Sequence, residues 1–181
     1  KNKFGFFFYK SSFLKYSTYS FLRNNINLPE ADEQDLKNLE IASECGKSQK
    51  NSWSVVQSIK YIFENNIEGD FVESGVYKGD SLIIFELTQR KYNLKKKIYG
   101  FDTFEGMVKP GDFDLYINKS VKFTALHYYK TNPNWMRASL ELVVKNLKYY
   151  LDNIYNITLI KGDVRKTMLD ENNLPNKISL L

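Results

Sequence analysis

The sequence predicts an α/β fold in which a mostly parallel sheet carries helices on both faces. Three observations lead there. Short apolar runs bounded by turn residues recur at 71–73, 98–101, 157–160 and 178–181, and each has the length of a strand. Segments with apolar residues at helical spacing lie between them, and such alternation calls for a parallel sheet covered on both sides. Three of the runs end in an acid, Glu73, Asp102 and Asp163, at the rim where open parallel sheets hold ligands.

Taken in order, residues 1–26 mix Phe4, Phe6, Phe7, Phe8, Phe13, Tyr16, Tyr19 and Phe21 with Lys and Ser. They read as a segment that docks on a neighbouring surface. A basic-aromatic membrane anchor over residues 1–25 is the less favoured reading, because the apolar positions keep no tidy helical face. Residues 27–47 carry Pro29, Glu30, Asp32, Glu33, Asp35 and Glu40, the composition of a solvated linker or a short helix. The chain divides there, with 1–47 as aromatic-basic segment and acidic linker and 48–181 as the globular domain.

Ser52 suits a helix N-cap, and Trp53, Val56, Ile59 or Lys60, and Phe63 follow at helical spacing up to Asn65 and Asn66. A strand at 71–73 runs into the turn Ser74, Gly75, Val76, Tyr77, Lys78, Gly79. Asp80 or Ser81 then caps a second helix reaching Lys91, with Leu82, Ile83, Phe85 and Leu87 available for burial. The second strand ends at Asp102. Residues 107–138, with Pro110, Gly111 and Pro133, exceed an ordinary connection and read as a partly helical insertion or lid. Ser139 caps a helix that puts Leu140, Val143, Val144, Leu147 and Leu151 on one face. The third strand ends in Gly162 and Asp163, and 178–181 open a fourth. The sequence is therefore expected to be a fragment, truncated after the start of the fourth strand, with the sheet left open beside its first strand.

Composition narrows the function. Hydrophobic residues make up 43% and aromatics 15%, which excludes a disordered chain. The net charge of +5 sits in the first 25 residues, which hold Lys1, Lys3, Lys10, Lys15 and Arg23 and no acid. The remainder is balanced, so the basic pI is no nucleic-acid footprint. Cys45 is the single cysteine, which leaves no intrachain disulfide or cysteine zinc site and fits a reducing, cytoplasmic setting. No apolar run approaches the roughly 20 residues of a membrane span.

The three strand-end acids suggest a ligand rich in hydrogen-bond donors. A dinucleotide site needs Gly-x-Gly-x-x-Gly so that backbone can close on a pyrophosphate. Here Tyr77 occupies the position that must be bare, which argues against NAD. S-adenosylmethionine (SAM) has no phosphate. It needs a glycine turn for close approach, which Gly75 and Gly79 supply, and a helix start for its carboxylate, near Ser81. It also needs an acceptor for its ammonium group, for which Glu73 is placed. Asp102 lies 29 residues beyond Glu73, where a carboxylate can accept both ribose hydroxyls.

The segment Gly69 to Gly79, followed by Tyr99-Gly100-Phe101-Asp102-Thr103-Phe104-Glu105-Gly106-Met107, resembles the macrocin O-methyltransferase family, whose members methylate sugar hydroxyls on macrolides and related glycosides. Ser139 to Leu147, then Lys161-Gly162-Asp163 to Met168, fall where that family has a helix and a third strand. The resemblance spans residues 50–181. It implies a Rossmann-like fold, SAM as donor and an O-methyl product, hence a SAM-dependent methyltransferase of which 48–181 is the N-terminal part. It also implies that Glu73, Ser74, Gly75, Gly79, Ser81, Asp102 and Thr103 bind the donor, with Asp163 near the adenine amine. Asp80 stands where relatives usually have another glycine, and Asp163 where many have an aromatic residue. The resemblance further implies Mg2+ held by residues beyond Leu181, with catalytic base and acceptor site there too, so that this fragment alone is expected to be poorly active. The expected partners are a small-molecule or glycoside acceptor and a second copy in a homo-oligomer, with no nucleic acid.

Plainer readings stand beside these. Strand-end acids and glycine turns also arise as turn chemistry, and Thr103 could make Asp102 a simple turn former. Phe104 and Glu105 could line the pocket, though packing explains Phe104 as well. His127, the sole histidine, is a tempting base, yet Leu126, Tyr128 and Tyr129 around it suggest a packed or surface place in the insertion. Trp135 and Tyr128 suit a sugar face or lid packing equally. Alternative functions are methyl transfer to another acceptor class, a Rossmann-type nucleotide or NAD enzyme, or a non-catalytic interaction module.

Overall fold

The computed structural model describes residues 28, 30–45, 49–111, 114–117, 122–132 and 134–181. The expectations for residues 1–26 lie outside them. Four strands form one parallel sheet: β1 (Asp70–Ser74), β2 (Ile98–Asp102), β5 (Ile157–Lys161) and β6 (Ile178–Leu180), in the order β5-β2-β1-β6. From β1 the chain steps outward to β2 and β5, then returns to place β6 on the other side. Strand order therefore reverses between β1 and β6, the kind of switch point where doubly wound sheets open a crevice. The fold is α/β and Rossmann-like, as expected. One detail differs: β6 pairs along β1, so the first strand is interior, and among the described residues the open edges belong to β5 and β6.

Helix α1 (Glu33–Glu44) precedes α2 (Gln49–Glu64) and α3 (Asp80–Lys91). The acids read as linker composition have a structural task. Asp32 is the N-cap of α1, accepting from the Asp35 N–H at 3.0 Å while Asp35 accepts from the Asp32 N–H at 3.3 Å. Lys91 then bridges both carboxylates, at 2.7 Å to Asp32 and 2.6 Å to Asp35, fastening α1 to α3. Leu36, Leu39 and Ala42 are buried, so this helix is packed rather than solvated. Helix α2 begins three residues before the expected Ser52 cap; Ser52 lies inside the helix and is fully buried. It closes as expected, with Asn66 in the left-handed region just beyond it.

Helix α3 lies at the centre. Leu82, Ile83, Ile84 and Phe85 are all buried, which occupies every side of the helix. The sheet takes one side and α1, α2 and α5 (Leu140–Tyr150) take the others, which explains why α3 lacks a clean polar face. Its buried Glu86 accepts from Gln89 Nε2 at 2.6 Å, Arg90 Nε at 2.6 Å and Asn156 Nδ2 at 2.5 Å. Gln89 pairs with Lys96 in both directions, and Asn156 O receives the Ile98 N–H. One buried carboxylate thus ties α3 to the entries of β2 and β5, with its charge answered by donors on all sides.

Between β2 and α5 the insertion forms an antiparallel pair, β3 (Leu115–Ile117) and β4 (Lys122–Thr124), then α4 (Ala125–Thr131). Ser139 caps α5 by accepting the Leu142 N–H, as its position suggested, and Val143, Leu147 and Leu151 are buried. A short α6 (Val164–Thr167) follows β5.

Candidate functional site

The turn after β1 is pinned from three directions. Gly75 donates to Phe101 O at 2.8 Å, and Asn146 of α5 donates to Lys78 O at 3.0 Å. Asp102 at the end of β2 accepts the Tyr77 N–H at 2.9 Å through Oδ2 and the Phe104 N–H at 2.8 Å through Oδ1. Beneath the turn, Gly100 allows Val76 and Leu82 to approach the sheet. A Cβ there would stand 2.8 Å from Val76 Cγ2 and 3.0 Å from Leu82 Cδ1. Gly75 at φ 90° and Gly79 at φ 87° take the left-handed conformations that glycine accepts without cost. Tyr77 adopts φ 49° with a full side chain, a strained choice that the Asp102 carboxylate holds in place.

Two cavities open over this turn and share Ser74. One, of about 310 Å³, is lined by Glu73, Ser74 and Ser81 with Val55, Phe85 and Leu180, over the switch point between β1 and β6. The other, of about 370 Å³, is lined by Gly75, Tyr77, Asp102, Thr103, Asp163 and Arg165 among others, over the ends of β1, β2 and β5. Above Gly75 there is open space: a Cβ there would meet no atom within 4 Å. Each volume lies within the roughly 300–1,000 Å³ common for small-molecule sites.

The structure brings the expected residues together unevenly. Gly75, Asp102, Thr103 and Asp163 line the larger cavity, Glu73 and Ser81 the smaller, and Ser74 both. Gly79 lines neither. It is the N-cap of α3, where Asp80 or Ser81 was expected, and it sits against Val143, which a Cβ would approach to 3.3 Å. Asp80 instead turns its carboxylate onto the Ser81 N–H at 3.0 Å, occupying one of the helix-start donors. The Thr103 hydroxyl donates to Gly106 O at 2.7 Å and shapes the loop after β2. Asp163 caps α6 and is engaged by Arg165. Its Oδ1 accepts from the Arg165 N–H at 3.0 Å and Nε at 2.9 Å, and its Oδ2 from Nη2 at 2.5 Å. The Arg165 guanidinium holds the Asp163 carboxyl well below the usual range, at about 2.

Residues outside the expected set also face the larger cavity: Met107, Val108, Met136 and Arg165. Met107 stands within the motif after β2, but nothing in the sequence marks Met136. It arrives because the Met107 N–H donates to Trp135 O at 3.3 Å and Gly106 lets that carbonyl come close. Phe104 is core, with 3% exposure, and Glu105 pairs with Lys161 at 2.9 Å on the surface. Tyr128 and Trp135 meet edge to face at 4.9 Å between ring centres. His127 is exposed on α4 and lines neither cavity. Cys45 is buried, and that burial pushes its thiol up to about 11. Among the described residues no three His, Cys, Asp or Glu side chains converge as a metal site, and no helix is long and apolar enough to cross a membrane.

The chain resembles the O-methyltransferase NovP in structure, at 19% identity and a TM-score of 0.53, over 66% of this chain and 47% of NovP. It therefore spans about half the length of that relative. The calicheamicin methyltransferase CalS11 aligns at 18% identity and a TM-score of 0.47, over 93% of this chain and 66% of its own. No curated protein matches. The profile of the macrocin-O-methyltransferase (TylF) sequences matches residues 45–179. That match takes in β1, β2 and β5, the pinned turn and the whole lining of the larger cavity, and the chain belongs to the macrocin-O-methyltransferase (TylF) family.

Proposed function

We propose that this chain carries the donor-binding part of a SAM-dependent O-methyltransferase whose acceptor is a hydroxyl of a sugar or glycosylated small molecule. The observation that carries the reading is the pair of cavities meeting at Ser74 beside the bare surface of Gly75, with an acid on each side. A ligand with a cationic amino-acid end and a nucleoside end suits that layout. Glu73 would accept from the ammonium group. Asp102 has two oxygens with about four acceptor sites, of which the Tyr77 and Phe104 backbone N–H groups use two, leaving capacity for a ribose diol. Family membership supports the methyl-transfer chemistry and the glycoside class of acceptor.

When bound, SAM supplies a methyl group on a positively charged sulfur, open to in-line displacement by an oxygen. The protein's contribution is then alignment. The Asp102 clamp and the Asn146 tie hold the turn, and that turn would position the donor. Among the described residues no three side chains converge to hold a divalent metal. An NAD-type reading is disfavoured by Tyr77, whose side chain stands where a pyrophosphate turn has none.

Calorimetric titration of the full-length protein with S-adenosylhomocysteine, and separately with NAD, tests the donor. Saturable binding of the first alone is expected, and Glu73→Gln should weaken it. Saturable NAD binding, or none of either ligand, would overturn the assignment. Transfer of labelled methyl from SAM to glycosides but not to their aglycones would identify the acceptor class, and the reverse preference would remove the sugar from the proposal.

A further inference from the structure

The larger cavity runs along the strand ends from Asp102 at the end of β2 to residues 162–165 beyond β5. A ribose held at Asp102 would leave the end of the cavity at residues 162–165 for its base. This step rests on the donor reading above. The acid there was expected near the adenine amine, yet both its oxygens are engaged by one neighbour. Asp163 accepts from the Arg165 backbone, Nε and Nη2, and holds the guanidinium in a fork. The Arg165 side chain remains 71% exposed and lines the cavity.

The other part of that cavity is soft and apolar. Met107, Val108 and Met136 are 44%, 39% and 46% exposed there. Met136 is held at φ 53°, a backbone conformation that bulky residues rarely adopt and that tends to persist at functional sites. A planar guanidinium and a thioether wall around one cavity suit the faces of a flat heteroaromatic ring. We propose that Arg165 is the residue that stacks on the purine of the bound nucleoside, with Asp163 as a positioning residue that keeps the guanidinium oriented rather than the acceptor for the base's amine.

The test is calorimetric titration of the full-length protein and its variants with S-adenosylhomocysteine, with ligand-free melting temperatures as a check on folding. R165A should bind about tenfold more weakly, the scale of a lost cation–ring or base-stacking contact. R165K should fall nearly as far, because an ammonium keeps the charge but not the plane. D163N retains an N-cap residue and should lose about threefold, through misorientation of the arginine. The decisive measurement is the double variant. D163N should add nothing to R165A if Asp163 works only through Arg165. Unchanged affinity in R165A, or a double variant much weaker than R165A alone, would overturn the inference while leaving the donor assignment intact. Failure of the wild-type protein to bind would overturn both.

Discussion

Replacing Asp102 by alanine should damage the empty protein as well as its affinity for the donor. The carboxylate receives two backbone N–H groups, from Tyr77 at 2.9 Å and Phe104 at 2.8 Å. Hydrogen bonds to a charged acceptor contribute about 1.5–3 kcal/mol each, and partial exposure of Asp102 sets these at the lower end, so their loss costs about 3 kcal/mol. Releasing Tyr77 from the left-handed region returns about 1 kcal/mol. The net loss of about 2 kcal/mol corresponds to a fall of roughly 4–8 °C in melting temperature for a chain of this size. D102N keeps one acceptor oxygen and should fall about half as far. Donor affinity should drop about 30-fold in D102A if the ribose contacts contribute a similar 2 kcal/mol. Scanning calorimetry without ligand and titration with S-adenosylhomocysteine measure the two effects separately. A double-mutant cycle isolates the Tyr77 contact: Y77G loses the same ring packing in both backgrounds, and its relief of about 1 kcal/mol of backbone strain should appear in the wild-type background and largely vanish in D102A. If D102A melts and titrates like the wild type, or Y77G acts equally in both backgrounds, then Asp102 does not hold the turn.

Gly100→Ala places a methyl 2.8 Å from Val76 and 3.2 Å from Leu159; overpacking of about 1–3 kcal/mol should appear in urea unfolding, together with weaker donor binding because Val76 belongs to the turn. A variant as stable and as tight-binding as the wild type would show that the turn can shift freely. Asp163 has its folded-state pKa depressed to about 2 by Arg165, so its contribution is present above the ordinary carboxylate value near 4 and is lost as pH falls through about 2. Urea midpoints of the wild type should therefore decline more steeply with acid over that window than those of R165A, and parallel declines would refute the pairing. Cys45, with burial raising its thiol to about 11, should be only about one part in a thousand thiolate at pH 8. It should resist a disulfide reagent until the protein is unfolded, whereas rapid labelling of the native state would contradict its burial.

Local chemistry explains which parts of this fold were legible. The strands ending at Glu73, Asp102 and Asp163 were marked by apolar runs meeting a turn, and each appears within a residue or two of its expected place. Ser139 was readable as a cap because its hydroxyl directly precedes an apolar helical face, where the first N–H groups need an acceptor. Ser52 misled for the opposite reason: the same residue type can be buried within a helix, and only the packing of α2 reveals that. Gly79 was missed as the N-cap of α3 because it offers no side chain, whereas Asp80 beside it advertises one. The site divides in the same way. Gly75 and Asp102 belong to a contiguous pattern, while Met136 reaches the cavity only through a backbone contact between the loop after β2 and the turn at Trp135. The saturation of Asp163 by Arg165 is a matter of side-chain geometry that spacing does not encode.

The Glu86 clamp has a consequence for how such proteins diversify. Asn156, at the doorway of β5, is moored to α3, the helix that starts at the glycine turn. The placement of β5 beside β2 is thus fixed from α3 and does not depend on the hairpin and α4 that lie between them in sequence. The hairpin and α4 can lengthen, shorten or be exchanged at small entropic cost while the platform below, α5 included, stays put. Evolution, or a designer swapping segments between homologues, is free to vary what hangs over the platform without relearning how to build it.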